Sequence, residues 1–235
     1  MLALDTSAAG GSAAVIRVDG AHTIVVERAG DEARPHGERL PNELMAVLRE
    51  AGAAIEDVDR LAVAVGPGSF TGLRVGIATI QGLALARGLP VAPVSTFEAL
   101  AWHARGGTDA VAAWIDAHRG EVFATLLAPD ARTVLAPASA LAPDATLDAW
   151  RHALVPFTGV RFLGNGAVRY RDVIRERLGA RADVDAAAPM LAAAVGAIAA
   201  AEPDRAVRPH ALVPHYVRRP DVELARDRRE AAAKP

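Results

Sequence analysis

Ala110-Val-Ala-Ala-Trp-Ile-Asp116-Ala-His-Arg-Gly120-Glu-Val122-Phe-Ala-Thr-Leu-Leu127 reads as an apolar strand, a turn that opens on an aspartate and closes on a glycine, and a second apolar strand. The N-terminus follows the same plan. Leu2-Ala-Leu4 is a short strand, Asp5-Thr6-Ser7 and Gly10-Gly11 form its turn, and Ala13 to Val18 returns before a turn at Asp19-Gly20 and a strand over Thr23-Ile-Val-Val26. The echo is one of topology, not of sequence, and it predicts two related halves with the boundary at Gly106-Gly107-Thr108. The halves span 1–105 and 106–202. Pro203 to Pro235, with Pro209, Pro214, Pro220 and an Arg/Asp/Glu-rich end, is expected to be an extended or partly disordered tail.

Between these landmarks the helical spacing of Leu40, Leu44, Val47 and Leu48 predicts a helix over 36–52. Leu61 to Val65 reads as a continuous apolar strand, and a second helix over 72–87 runs into Gly88 as its C-cap. Val91 to Val94 is a strand, followed by a helix capped by Thr96 that reaches about His103. In the second half residues 129–160 are weakly patterned. Arg161 to Leu163 leads into Gly164-Asn165-Gly166, and helices are expected over 168–178 and 188–201.

With 235 residues, 51% of them hydrophobic and 23% charged, the chain can bury a continuous core and is not a disordered protein. Its formal net charge of −2 gives no global positive field for a polyanion, so any nucleic-acid role is local or belongs to a partner. The absence of cysteine removes disulfide scaffolds, thiol nucleophiles and thiolate metal sites. No basic leader precedes Asp5, and the apolar run 186–201 contains Pro189 and Gly196 and is too short to span a bilayer, so a cytoplasmic protein without a membrane segment is expected.

The strongest local motif is Val65-Gly66-Pro67-Gly68-Ser69-Phe70-Thr71-Gly72-Leu73-Arg74-Val75-Gly76. Its amides suit an anion at a helix N-terminus, and its glycines, taken alone, more often mark a tight turn that lets helix and sheet pack closely. It is neither a Walker A loop nor a dinucleotide fingerprint. The helix that follows is apolar on more than one side, with Arg74, Thr79, Gln81 and Arg87 scattered around it, so part of it must meet its own chain's other helices or a partner. Asp5-Thr6-Ser7 and Asp116, with Gly164 in a third loop, are placed where a carboxylate holds a metal-bound water and hydroxyls or amides hold phosphates; each is also an ordinary turn-forming aspartate. Together the loops match the α/β layout of actin, the sugar kinases and the heat-shock ATPases, in which two ribonuclease-H-like halves grip a nucleotide. The seven histidines lack metal-site spacing, and no Gly-x-Ser-x-Gly elbow is present.

Leu4-Asp5-Thr6-Ser7, the Gly66 to Gly76 block, Gln81-Gly82-Leu83-Ala84, Pro93-Val94-Ser95-Thr96, Ile115-Asp116-Ala117 and Arg119-Gly120-Glu121-Val122 resemble the bacterial TsaB (YeaZ) family. The likeness is dense over 1–127, looser to Gly166 and thin in the tail. It implies a non-catalytic scaffold or dimerisation subunit that supports TsaD, with the ATPase TsaE, in forming threonylcarbamoyladenosine beside the anticodon of tRNA. TsaD carries a His-x-x-x-His metal motif after the strand that follows the shared loop. Thr96 and Leu100 stand in those positions here, and leucine cannot coordinate a metal.

The resemblance further implies no intrinsic cofactor, with ATP and metal on the partner subunits, tRNA met only through the complex, and a homodimer when the chain is alone. In the family the first two long helices pair with a partner, which makes Leu40, Leu44, Leu48, Arg74, Val75, Ala78, Gln81 and Leu85 the candidate interface. Asp5, Thr6, Ser7, Gly66, Gly68, Ser69, Asp116 and Gly164 are candidates for a vestigial nucleotide or phosphate site; no residue is assigned to catalysis or to a metal. The rival reading is a small stand-alone ATPase or kinase using Asp5 and Asp116. A peptidase has little behind it.

Overall fold

The computed structural model describes residues 1–19 and 22–218. The Gly20 corner of the expected first hairpin turn and the Arg-rich end beyond Arg218 lie outside the described residues. In chain order the elements are β1 (Leu2–Asp5), β2 (Ser12–Asp19), β3 (His22–Ala29), α1 (His36–Glu50), β4 (Leu61–Gly66), α2 (Phe70–Arg87), β5 (Val91–Ser95) and α3 (Thr96–Trp102). There follow β6 (Ala110–Asp116), β7 (Val122–Leu127), β8 (Val134–Leu141), α4 (Pro143–Trp150), β9 (Val160–Leu163), α5 (Asn165–Arg169), α6 (Arg171–Leu178), β10 (Ala182–Val184) and α7 (Ala192–Ala201).

The strands form two five-stranded sheets with one plan. The first has the order β3-β2-β1-β4-β5 and the second β8-β7-β6-β9-β10. In each, three antiparallel strands come first and two parallel strands are added on the other side of the first strand. The repetition read from the Asp5 and Asp116 turns is thus a repetition of ribonuclease-H-like topology, and the fold is the α/β architecture expected.

Both faces of each sheet are buried, so alternate residues of one strand enter different cores. Leu2 and Leu4 join Val63, Val65, Leu44, Leu48, Ile77 and Ile80 under α1 and α2. Ala3 faces the opposite way, into the layer between the sheets, with Ala62, Ala64, Val94, Val111, Ile115 and Leu163. The small residues on that face let α7 come close: a Cβ on Gly196 would run into Ile16. This makes the Ala-rich run a core helix over Ala192–Ala201, shorter at its start than the expected 188–201. On the far side of the second sheet Trp114 meets Phe162 and Trp150 edge-on, at centroid distances of 5.4 and 6.0 Å.

Several details differ from the sequence expectation. The weakly patterned stretch 129–160 contains β8 and α4. β8 is an edge strand, which tolerates Pro137, and Pro143 occupies the first turn of α4, where a missing N–H costs nothing. The expected helix 168–178 is two helices, α5 and α6, separated at Tyr170 by a backbone at φ −106°, ψ 26°. Ser95, not Thr96, caps α3, accepting from Phe97 N–H at 3.2 Å while Glu98 returns to the Ser95 amide at 2.9 Å. In the tail, residues 203–218 are held in place: Val207 pairs with Val91 on the free edge of β5 and Leu212 enters the core.

Candidate docking face and interlobe cleft

Helix α2 is defined at both ends. Ser69 accepts from Gly72 N–H at 3.2 Å, and Gly88 adopts the left-handed conformation that ends the helix. Leu73, Ile77, Ile80 and Ala84 face the sheet, and Gly76 lies against Thr6, where a Cβ would strike the threonine hydroxyl. The opposite side carries Thr71, Arg74, Ala78, Gly82, Leu85 and Ala86, spaced by three and four residues along one exposed stripe. Leu85 is 68% exposed. Arg74 is its only charge. On the neighbouring α1, Pro41, Asn42, Met45 and Arg49 point outward.

The expected interface residues divide accordingly. Ala78 and Leu85 lie on the exposed stripe with Arg74 beside them, and Val75 is half-buried at its edge. Leu40, Leu44 and Leu48 do not belong there. All three are buried, because they form the single broad apolar stripe of α1 and the sheet beneath needs that stripe as its cover.

Gln81 and Arg74 are tied to the end of the chain. Gln81 Nε2 donates to the Pro209 carbonyl at 2.8 Å and to that of Leu212 at 3.4 Å. Arg74 lies 3.9 Å above the Phe70 ring and donates to the Tyr216 hydroxyl at 3.0 Å, while Tyr216 stacks on Phe70 at 5.3 Å. His215 N–H donates to the Val65 carbonyl at 2.7 Å. The segment from Val207 to Val217 is therefore a strap along α2, and nothing in the spacing of Gln81 or Tyr216 announces it.

Between the sheets lies a cleft of about 390 Å³, lined among others by Asp5, Ser7, Glu32, Thr96, Gly164 and Asn165. Asp5 is buried and accepts from Ser7 N–H at 2.9 Å; burial pushes its carboxyl above the ordinary carboxylate range. Asp116 accepts from Arg169 at 3.0 Å and from His118 N–H at 3.1 Å, and its own N–H donates to Asn165 at 3.0 Å. Gly68, Ser69 and Asp116 line a separate pocket of about 350 Å³ with His118, Arg119 and Tyr216. Thr6 and Gly66 line neither: Thr6 lies under Gly76, and Gly66 lies against the backbone of His215. Asp5, Ser7 and Gly164 thus stay together in the cleft while the rest of the candidate phosphate set is elsewhere. Among the described residues, those lining the cleft include two carboxylates and no lysine or arginine. That is a poor match for a polyphosphate.

One structural residue was not foreseen. Arg39, on α1, is almost wholly buried and donates to the carbonyls of Arg34, Ala9 and Gly10 at 3.0, 2.8 and 2.6 Å, and to Glu43 at 2.5 Å. It pins the first turn of the chain to α1. Burial, with the adjacent Arg39 guanidinium, holds His36 below its ordinary value. The i, i+4 pairing of Arg39 with Glu43 is the one sign of this in the sequence.

A family model described as TsaD, tRNA N6-adenosine threonylcarbamoyltransferase, matches residues 30–148. An uncharacterised protein of Mycobacterium tuberculosis is 33% identical over 225 residues, covering 95% of this chain and 93% of its own length. The tRNA threonylcarbamoyladenosine biosynthesis protein TsaB of Bacillus subtilis is 28% identical over 238 residues, covering 95% and 96%. The solved structure of YeaZ from Pseudomonas aeruginosa superposes with a TM-score of 0.69 at 30% identity, over 92% of this chain and 98% of that one. Among the described residues no helix is long and apolar enough to cross a membrane.

Proposed function

The chain belongs to the TsaB (YeaZ) family, and from that membership we propose that it is the non-catalytic scaffold subunit of the machinery for tRNA threonylcarbamoyladenosine biosynthesis. It docks a TsaD-type transferase against the outer faces of α1 and α2, and that assembly is the platform for TsaE. tRNA is met through the complex, in the cytoplasm, and the chain pairs with a second copy of itself when the transferase is absent. Metal and ATP chemistry belong to the partners.

The observation that carries this reading is the exposed stripe of α2. A helix whose outer side reads Thr71, Arg74, Ala78, Gly82, Leu85 and Ala86 has no broad polar face for water, and its small residues allow another helix to approach closely. An interface of standard size, about 800 Å² per partner, gives specific affinity when a few apolar anchors pack at its centre.

The rival reading, a stand-alone ATPase or kinase, has less to work with. Asp116 is already paired with Arg169, and Asp5 is buried against its own turn. The test is light scattering of the full chain mixed with a TsaD-type transferase, followed by tRNA modification with and without the chain. A one-to-one complex, and modification lost when the chain is omitted, is the expected result. No complex, with modification proceeding regardless, would overturn the proposal.

A further inference from the structure

The strap and the exposed stripe of α2 meet at one place. Where α2 ends, Leu85, Leu89 and Pro90 form one wall of a hollow of about 440 Å³, and Val207 and Pro209 of the strap form the other. Leu85 is both the last large residue of the stripe and part of this wall. The strap does not rest there loosely. Val207 exchanges backbone hydrogen bonds with Val91 at 3.0 and 2.8 Å, Leu212 is buried with the α1 and α2 core, and Gln81 holds the carbonyls on either side of the intervening turn. Val213, the next residue, is 70% exposed. The result is a fixed apolar surface that continues the helix stripe onto the C-terminal segment.

Resting on the docking reading above, we infer that the strap Val207–Val213 is the second half of the docking face. The hollow beside Leu85 receives an apolar side chain from a helix of the TsaD-type partner. Continuity decides the occupant: a helix laid along Thr71, Ala78, Gly82 and Leu85 arrives at the hollow without leaving the surface of α2. Among the described residues, the hollow's charged or titratable lining is Arg208 and His210. Gln81 is then a positioning residue. It does not reach the partner; it fixes the wall against which the partner's side chain packs.

Two measurements on the full chain test this. The first is amide hydrogen exchange with and without the TsaD-type transferase. Slower exchange in both α2 and residues 207–213 on complex formation is expected. Protection of α2 with an unchanged strap would overturn the inference and leave the docking reading standing; protection of neither would overturn both. The second measurement is the affinity of Gln81 variants. Gln81→Met removes the donor at nearly constant volume and is expected to weaken the complex about tenfold. Gln81→Lys restores a donor to the same carbonyls and is expected to bind within about threefold of the parent. Melting temperatures of both variants separate folding from docking. Parent-like affinity of a folded Gln81→Met chain, or equal loss in Gln81→Lys, would overturn the positioning role.

Discussion

Asp5 and Gly76 show how much of this protein turns on single atoms. Burial raises the Asp5 carboxyl above the ordinary carboxylate range, so over the interval between those values the folded chain keeps a proton that the unfolded chain has released. The stability contributed there is complete below the ordinary range and is lost as pH rises through the raised value. Asp5→Asn keeps an oxygen to accept Ser7 N–H and removes the titration. Thermal melts should place the variant above the parent at pH 8, with the difference shrinking toward pH 4. His36, held down by burial in both chains, cancels from that difference. A difference that does not change with pH would refute the assignment. Gly76 is a matter of space alone: an added methyl strikes Thr6, so Gly76→Ala should cost about 1–3 kcal/mol by urea unfolding. Thr6→Ala in the same chain should recover part of that loss, because it removes the hydroxyl in the way. The sequence offered two causes for glycine at 66, 68 and 76, an anion at the helix N-terminus or a tight strand-to-helix turn with close packing, and the close packing is present. The glycines admit neighbouring backbone and side chains, and no ligand is required to explain them.

At the scale of the element, α1 and α2 were both legible as helices, but which of their faces point outward was not. The repeat of Leu40, Leu44 and Leu48 gives the same periodicity whether those residues face a sheet or a partner. Periodicity fixes a stripe; it does not say which surface the stripe meets. The excess apolarity of α2 was the better signal, since no single sheet can cover all sides of a helix. The strap was illegible because Gln81, Pro209 and Tyr216 carry no local pattern, and their contacts span more than 120 positions of sequence. Two substitutions separate the faces. Leu44→Asp buries a carboxylate in the core and should destabilise the fold by about 3 kcal/mol or more. Ala78→Asp leaves the melting temperature within a few degrees and should weaken transferase binding by about a hundredfold or more. Unchanged binding by Ala78→Asp would remove α2 from the interface.

Across the whole molecule, two hairpins that share an Asp turn were enough to predict two halves of one topology. Topology survives where sequence identity does not, because strand order depends only on which apolar runs pair and in what direction. Function does not follow from that architecture. The cleft between these lobes has to be judged by its own lining. Among the described residues its lining contains Asp5 and Glu32 and no lysine or arginine, and the buried Thr96 and Leu100 stand where the resemblance implies the metal-binding histidines of the transferase; Asp116, in the neighbouring pocket, accepts from Arg169. A cleft with this lining opposes the charge of a triphosphate, and the Asp116 carboxylate is already held by Arg169. The purified chain should therefore show no ATP turnover above a buffer blank, and Asp5→Asn and Asp116→Asn should leave that baseline where it is. Turnover that disappears in Asp116→Asn would reverse the argument, because it would make the Arg169 pairing a resting state of a working carboxylate. Turnover that appears only when the transferase and its ATPase are added, and persists in both variants, is what a scaffold whose chemistry resides in its partners requires.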